Sequence, residues 1–179
     1  VLMAVGGFWR AAFALVLLAL TPIVHAQRQA PEPELKAAIL VNMLLFVDWP
    51  TPVGRSPDRL TVCYLAGSPV ATALAQLGGK LLKGQPLQVE RADAATLGDC
   101  QVLYLSPTDA SGLPRLASSL PARGILVVGD SPGYLQSGVM LNLEIEGGRV
   151  VFDIDLRSAR QAGLTVSSKV LRLARHVTE

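Results

Sequence analysis

Two short runs decide the fold, CQVLYLS (Cys100–Ser106) and GILVVG (Gly124–Gly129). Both are almost wholly apolar, rich in β-branched and large aliphatic residues, and too short to be stable helices. They read as strands buried on both faces, which is the habit of central strands in a parallel sheet. Between them, Pro107 to Leu120 carries Leu113, Leu116 and Leu120 at helical spacing. Upstream, LTVCYLA (Leu60–Ala66) is another strand. It is followed by Gly67-Ser68-Pro69, where Ser68 suits an N-cap and Pro69 the first helical position. Val70, Leu74 and Leu77 make that helix's inner stripe, and Gly78-Gly79 ends it. Lys80 to Gln85 reads as a connector, Pro86 to Arg91 as a more polar strand nearer an edge, and Ala92 to Leu97 as a short helical turn.

Downstream, VMLNLEIE (Val139–Glu146) and RVVFDIDL (Arg149–Leu156) alternate apolar and polar residues around Gly147-Gly148, a strong hairpin signal. A helical run from Arg157 ends at Gly163. A last helix, Ser168 to Val177, is expected with Ser167 as N-cap and Val166 stapled onto Leu171. Its inner side would be Val170, Leu171, Leu173, Ala174 and Val177, with Arg172, Arg175 and His176 in its last turns. Alternation of strands and helices predicts an α/β fold, a three-layer α/β/α sandwich. Its sheet would be mostly parallel, of about six strands, with the antiparallel hairpin toward one edge.

The first helix is expected over Glu34–Pro50, ELKAAILVNMLLFVDWP, stopped by Trp49-Pro50. Leu35, Ala38, Ile39, Asn42, Met43, Phe46 and Trp49 share one face, and an amide such as Asn42 on a buried face needs a hydrogen-bond partner. Val41, Leu44, Leu45 and Val47 lie off that stripe and are apolar too. Either the last helix covers them or they face a partner or a second subunit.

Arg10, the apolar run Ala11–Leu20 and Val24-His25-Ala26 have the build of a secretory signal peptide over residues 1–26, cleaved after Ala26. An uncleaved anchor is the alternative, but the run is shorter than the roughly 20 residues a span needs. The remainder, 27–179, is one domain's worth of chain. Arg10 is the only charged residue before Gln27, which leaves fifteen basic against fourteen acidic residues. There is no basic patch for nucleic acid and no like-charge tail. Two cysteines, Cys63 and Cys100, are either bridged, as an oxidising compartment favours, or two buried thiols.

Catalytic patterns are sparse. Leu77-Gly78-Gly79-Lys80 follows a helix where a phosphate loop needs a strand. His176 is the single histidine after the leader, too few for a multi-histidine zinc site. Gly129-Asp130-Ser131 resembles a GDSL-type serine block, yet Leu173 stands where the partner Asp-x-x-His needs its Asp, so Ser131 lacks a base. Asp153 and Asp155 share one strand face, which reads equally as paired acids or as a solvated sheet face. No cofactor is expected. Loops beyond the strand ends, Gly67-Ser68, Ser106-Pro107 and Gly129-Asp130-Ser131, are small and polar, which suits an anion or nucleotide.

Four blocks in order carry a family resemblance. LKAAILVNMLLFVDWP, with Asn42, Trp49 and Pro50, resembles the opening signature of the YfiR family. LTVCYLAGSP and GDCQVLYLS resemble its strands bearing Cys63 and Cys100. FDIDLRSARQAGLTVSSKVLRLA resembles its closing signature, through Arg160, Gly163, Ser167, Ser168 and Lys169. The resemblance implies a periplasmic, non-enzymatic α/β protein. In the family's founding member such a protein binds the periplasmic sensor domain of an inner-membrane diguanylate cyclase, restraining cyclic-di-GMP output and biofilm formation. A homodimer is left open. The founding member carries a second cysteine pair nearer its C-terminus and this chain has none after Cys100, so Cys63–Cys100 is the only intramolecular bridge the resemblance allows. Asp155 stands where the family commonly has Asn.

Overall fold

The structure is a computed structural model that describes residues 30–50, 58–93, 97–117 and 124–179. The expected leader over 1–26 and its cleavage point lie outside these residues, as does Leu120. The first helix, α1, spans Glu32–Leu44. Strand β1 is Val47–Asp48, β2 is Leu60–Tyr64, and helix α2 is Pro69–Gln76. Strands β3 (Leu81–Leu82) and β4 (Gln85–Arg91) follow. Strand β5 is Val102–Leu105, helix α3 is Leu113–Ala117, and β6 is Leu126–Gly129. The hairpin is β7 (Leu141–Glu146) and β8 (Arg149–Asp155). Helix α4 (Leu156–Gln161), β9 (Thr165–Val166), α5 (Ser168–Leu171) and β10 (His176–Thr178) complete the chain.

The main sheet has eight strands where about six were expected, in the order β10-β8-β7-β6-β5-β2-β4-β3. The run from β4 through β7 is parallel, and β7–β8 is the antiparallel hairpin. Two additions account for the larger count. Leu81–Leu82, read as connector, pairs antiparallel with β4, and β10 pairs parallel with β8 outside the hairpin. β1 and β9 form a separate two-stranded sheet. Val102, Leu103, Tyr104 and Leu105 are fully buried, as the apolar run required, and β6 is buried throughout. Ser68 caps α2, its hydroxyl accepting from the Ala71 N–H at 3.0 Å.

Cys63 and Cys100 form a disulfide, with Cα atoms 5.8 Å apart, and both are buried. Cys63 lies on β2 and Cys100 two residues before β5, on neighbouring strands.

The first helix differs from its sequence reading in length and in phase. It stops at Leu44, because Val47–Asp48 leaves the helix to pair with Thr165–Val166. Its inner face is Lys36, Ala37, Leu40, Val41, Met43 and Leu44. Asn42, expected on a buried stripe, is exposed. Val41, Leu44 and Val47 are core residues, and Leu45 alone of that set stays 39% exposed. The last helix is not their cover. It is a single turn, Ser168–Leu171, and α1 packs mainly on α2.

The expected helix over Ser168–Val177 is overridden beyond Leu171. Leu173 faces solvent at 74% exposure, and His176 sits on a strand rather than at a helix end. Ion pairing supplies the reason. The Arg175 guanidinium reaches Asp153 at 2.5 Å, Glu144 at 2.6 Å and Glu146 at 3.1 Å. The His176 N–H also donates to Asp153 at 3.1 Å, so one carboxylate on β8 holds both residues. Asp153 is thus not a free solvated acid, and Asp155 caps α4, accepting from the Ser158 N–H at 2.9 Å. Arg175 above all holds the Asp153 carboxyl below its ordinary 3.8, against the opposing pull of burial. The unfolded chain therefore takes the proton more readily than the folded one. Stability from this pair is present above pH 3.8 and is lost as pH falls through the lower folded value. Asp153→Asn should cost stability at neutral pH, with the gap to the parent closing as pH falls below 3.8. Urea midpoints across that range check this, and a gap that does not narrow overturns it.

Candidate functional site at the strand ends

From β2 the chain crosses to β4 on one side. It then returns to β5 on the other and steps on to β6 and β7. The direction reverses between β2 and β5, and open α/β sheets bind ligands beyond the C-terminal strand ends at such a switch point. Here those ends lead into 65–68, 91–93, 106–112 and 130–131.

The loop after β6 is closed by its own contacts. The Lys36 ammonium donates to Asp130 Oδ1, and the Tyr104 hydroxyl donates to Asp130 Oδ2 at 2.9 Å. Glu32 also pairs with Lys36 at 2.7 Å. The Lys36 and Asp130 side chains are 8% and 6% exposed, so this ion pair lies in the protein interior. Burial pulls the Lys36 ammonium down, but its bonds to Asp130 and Glu32 outweigh that and hold it above its ordinary 10.5. Burial first, and then the Asp130 charge, push the Tyr104 hydroxyl far up. Asn142, also buried, brackets Ser131, donating to its carbonyl at 2.9 Å and accepting from its N–H at 3.4 Å. Tyr134 donates to the Ser106 carbonyl at 2.7 Å.

Gly129 is the closest point of this packing. A Cβ there would stand 2.6 Å from Tyr134 Cδ2 and 2.9 Å from Asn142 Oδ1. Gly129→Ala should therefore cost about 1–3 kcal/mol by overpacking, read as a lower urea midpoint with unchanged slope. An unaltered midpoint would show that the loop yields freely.

The loops after β2 and β5 remain open. Between them is a cleft of about 380 Å³ lined by Leu65, Thr108, Asp109, Ser111, Gly112, Arg115 and Leu116. A neighbouring hollow is lined by Leu65, Arg91, Ala92 and Asp93. The backbone N–H and hydroxyl of Ser106 both donate to Asp109 Oδ2 at 2.7 Å, which fixes that carboxylate at the rim.

Of the residues singled out in the sequence, Gly67 and Ser68 stand beside this cleft in the chain but do not line it. The Ser68 hydroxyl is committed to capping α2, and Asp130 to Lys36 and Tyr104. Asp109 and Arg115 were missed because neither belongs to a motif. Lys36 drew no reading of its own, although it falls in phase with Leu40 and Leu44.

A second cluster gathers at the opposite ends of the strands. The Trp49 indole N–H donates to the Gln101 carbonyl at 3.0 Å, just before β5. Gly163, with φ +78°, lies against Pro50, where a Cβ would come within 3.3 Å of its ring. The Ser167 N–H donates to the Phe46 carbonyl at 2.9 Å, beside the β1–β9 pairing. The Lys83 ammonium reaches the Val47 carbonyl at 2.7 Å and the Asp48 carboxylate at 2.5 Å. Pro50 is thereby brought to Gly163 and Phe46 to Ser167, with Trp49 held on Gln101, while Arg160, Ser168 and Lys169 are exposed.

A family model described as YfiR/HmsC-like matches residues 33–175. The chain belongs to the YfiR/HmsC-like family. Both cysteines and both signature blocks of this YfiR/HmsC-like chain fall within the match. Two solved structures share the fold. A conserved domain protein from Vibrio cholerae O1 biovar El Tor aligns with a TM-score of 0.54 at 18% identity, over 82% of this chain. An ABC domain from Streptococcus pneumonia, in complex with L-Trp, aligns at 0.55 and 14% identity, over 79%. The chain spans 60% of the length of each. Among the described residues no helix is long and apolar enough to cross a membrane.

Proposed function

We propose that this YfiR/HmsC-like chain is an exported, non-enzymatic regulator. In this reading it binds the periplasmic domain of an inner-membrane signalling protein, a diguanylate cyclase. It thereby restrains cyclic-di-GMP output and biofilm formation. The family match over residues 33–175 carries the reading. Export after cleavage at Ala26 is part of it, and a buried disulfide accords with an oxidising compartment. So is a three-layer arrangement, since right-handed crossovers would set α2 and α3 on opposite faces of the sheet. The test is capture from envelope extracts on the immobilised oxidised protein. The expected catch is an inner-membrane protein with a cyclase domain. Recovery of no such protein, under either oxidising or reducing conditions, would sink the proposal.

The cleft at the switch point favours a second reading, a small-ligand-binding module, because its volume lies in the range of known ligand sites. The two readings are compatible, since a ligand could bias partner binding.

A further inference from the structure

We infer that the outer side of α5, with the neighbouring face of α4, is a contact surface for an anionic lipid bilayer. The near balance of charge along the chain conceals an uneven distribution. From Leu156 to Thr178 there are five basic residues and no acidic one, whereas residues 27–155 carry ten basic against thirteen acidic. Two of the five are engaged. Arg175 meets three carboxylates of the hairpin, and Arg157 donates to the Glu179 carbonyl. Arg160, Lys169 and Arg172 are exposed, and no ion pair among the described residues involves them.

Two of these cations stand beside an exposed leucine. The Leu173 and Ala174 N–H groups both donate to the Val170 carbonyl, at 2.9 and 3.2 Å, so the winding of α5 carries on past Leu171. Lys169, Arg172 and Leu173 are spaced i, i+3 and i+4 and share one side of that winding, while Val170 is buried. Leu173 is 74% exposed, more than any other large hydrophobic residue among those described. Helix α4 packs against β9 and β10, which flank α5 in the chain, so Arg160 lies on the same margin of the molecule.

Three cations on two short helices do not make the basic stripe that nucleic acid needs. A small anion needs donors that converge on it, and these point outward. A bilayer makes no such demand. Each flexible cation is drawn to an anionic surface without a fixed partner, and Leu173 between them can pass among the headgroups and leave water. The surface rests on the exported reading of the chain. It holds the protein loosely at the membrane that carries its partner, which raises the effective concentration of each for the other.

The experiment is co-sedimentation of the oxidised, exported form, from Gln27 onward, with lipid vesicles. One set is phosphatidylcholine alone, the other phosphatidylcholine and phosphatidylglycerol in equal parts. At low salt the protein should bind the anionic vesicles and leave the neutral ones, and high salt should release it. Neutralising Arg160→Gln, Lys169→Gln and Arg172→Gln together should weaken the binding roughly 100-fold, and Leu173→Ser should weaken it about tenfold. All four positions are exposed, so both variants should keep the parent's urea midpoint. Orthophosphate should compete no better than chloride at equal ionic strength. Equal binding to both kinds of vesicle, or binding to neither, overturns the proposal. So does displacement by orthophosphate beyond its ionic strength, which would make the site one for a free anion. A triple variant that binds vesicles like the parent but no longer captures an inner-membrane protein from detergent extract overturns it in favour of a protein surface. The vesicles hold no protein, so a failure here leaves the partner reading standing.

Discussion

Replacing both cysteines, Cys63→Ala with Cys100→Ala, should lower the stability by about 4 kcal/mol. The chain-entropy account of a crosslink gives that figure for a closed loop of this size, the two residues being 37 apart in sequence. Both side chains are buried, so lost packing acts in the same direction. Since natural domains hold about 5–15 kcal/mol in all, the variant would be left near the margin, with a melting temperature roughly 10 °C lower. Urea unfolding of the parent and the variant, each with and without reductant, checks this. Reductant should weaken the parent and leave the variant unmoved. A loss under about 1 kcal/mol would mean that the reduced, unfolded chain is already compact.

The second large effect is expected at Lys36 and Asp130. Lys36→Met strands the Asp130 charge in the interior, and breaking a buried pair from one side costs about 3–5 kcal/mol; Asp130→Asn leaves Lys36 the half-exposed Glu32 and should cost less. The double variant should cost less than the two singles combined, because no buried charge then lacks the partner it had. Additive losses in that cycle would deny the coupling. Alkali should act on the same site. Lys36 and Tyr104 both hold their protons more firmly when folded than when unfolded. The stability they contribute is therefore complete below their ordinary values of 10.5 and 10.0 and declines as pH rises through the higher folded values. Lys36→Met should flatten part of that decline.

Strong local signals read true. The buried runs around β5 and β6, the hairpin at Gly147-Gly148, the Ser68 cap and the family blocks all rest on adjacent residues that agree with one another. The failures share a different cause. Helix α1 is apolar on most sides, so its spacing could not choose a face, and the deciding residue was Lys36, whose partner lies 94 positions away. The segment after Leu171 has good helix formers, yet a guanidinium that meets three carboxylates from the hairpin outweighs local preference. Val47–Asp48 left the helix for a pairing with Thr165–Val166 that no local pattern announces. The cleft was legible only as a place, beyond the strand ends, since its charges come from residues without a motif.

The meeting of Phe46 and Pro50 with Ser167 and Gly163 also bears on time. Contacts closing about 120 residues of chain come at a high entropic cost unless the intervening sheet already holds the ends near each other. These contacts should therefore form after the rate-limiting step of folding. Val166→Ala, which trims the strand residue paired with Val47, should leave the refolding rate unchanged and place its whole effect on unfolding, a φ-value near zero in a chevron analysis. A slower refolding arm would put the cluster in the nucleus instead. With φ near zero, the two signature blocks act as a kinetic fastening. They govern how long a folded molecule persists and have little say in how fast one is made.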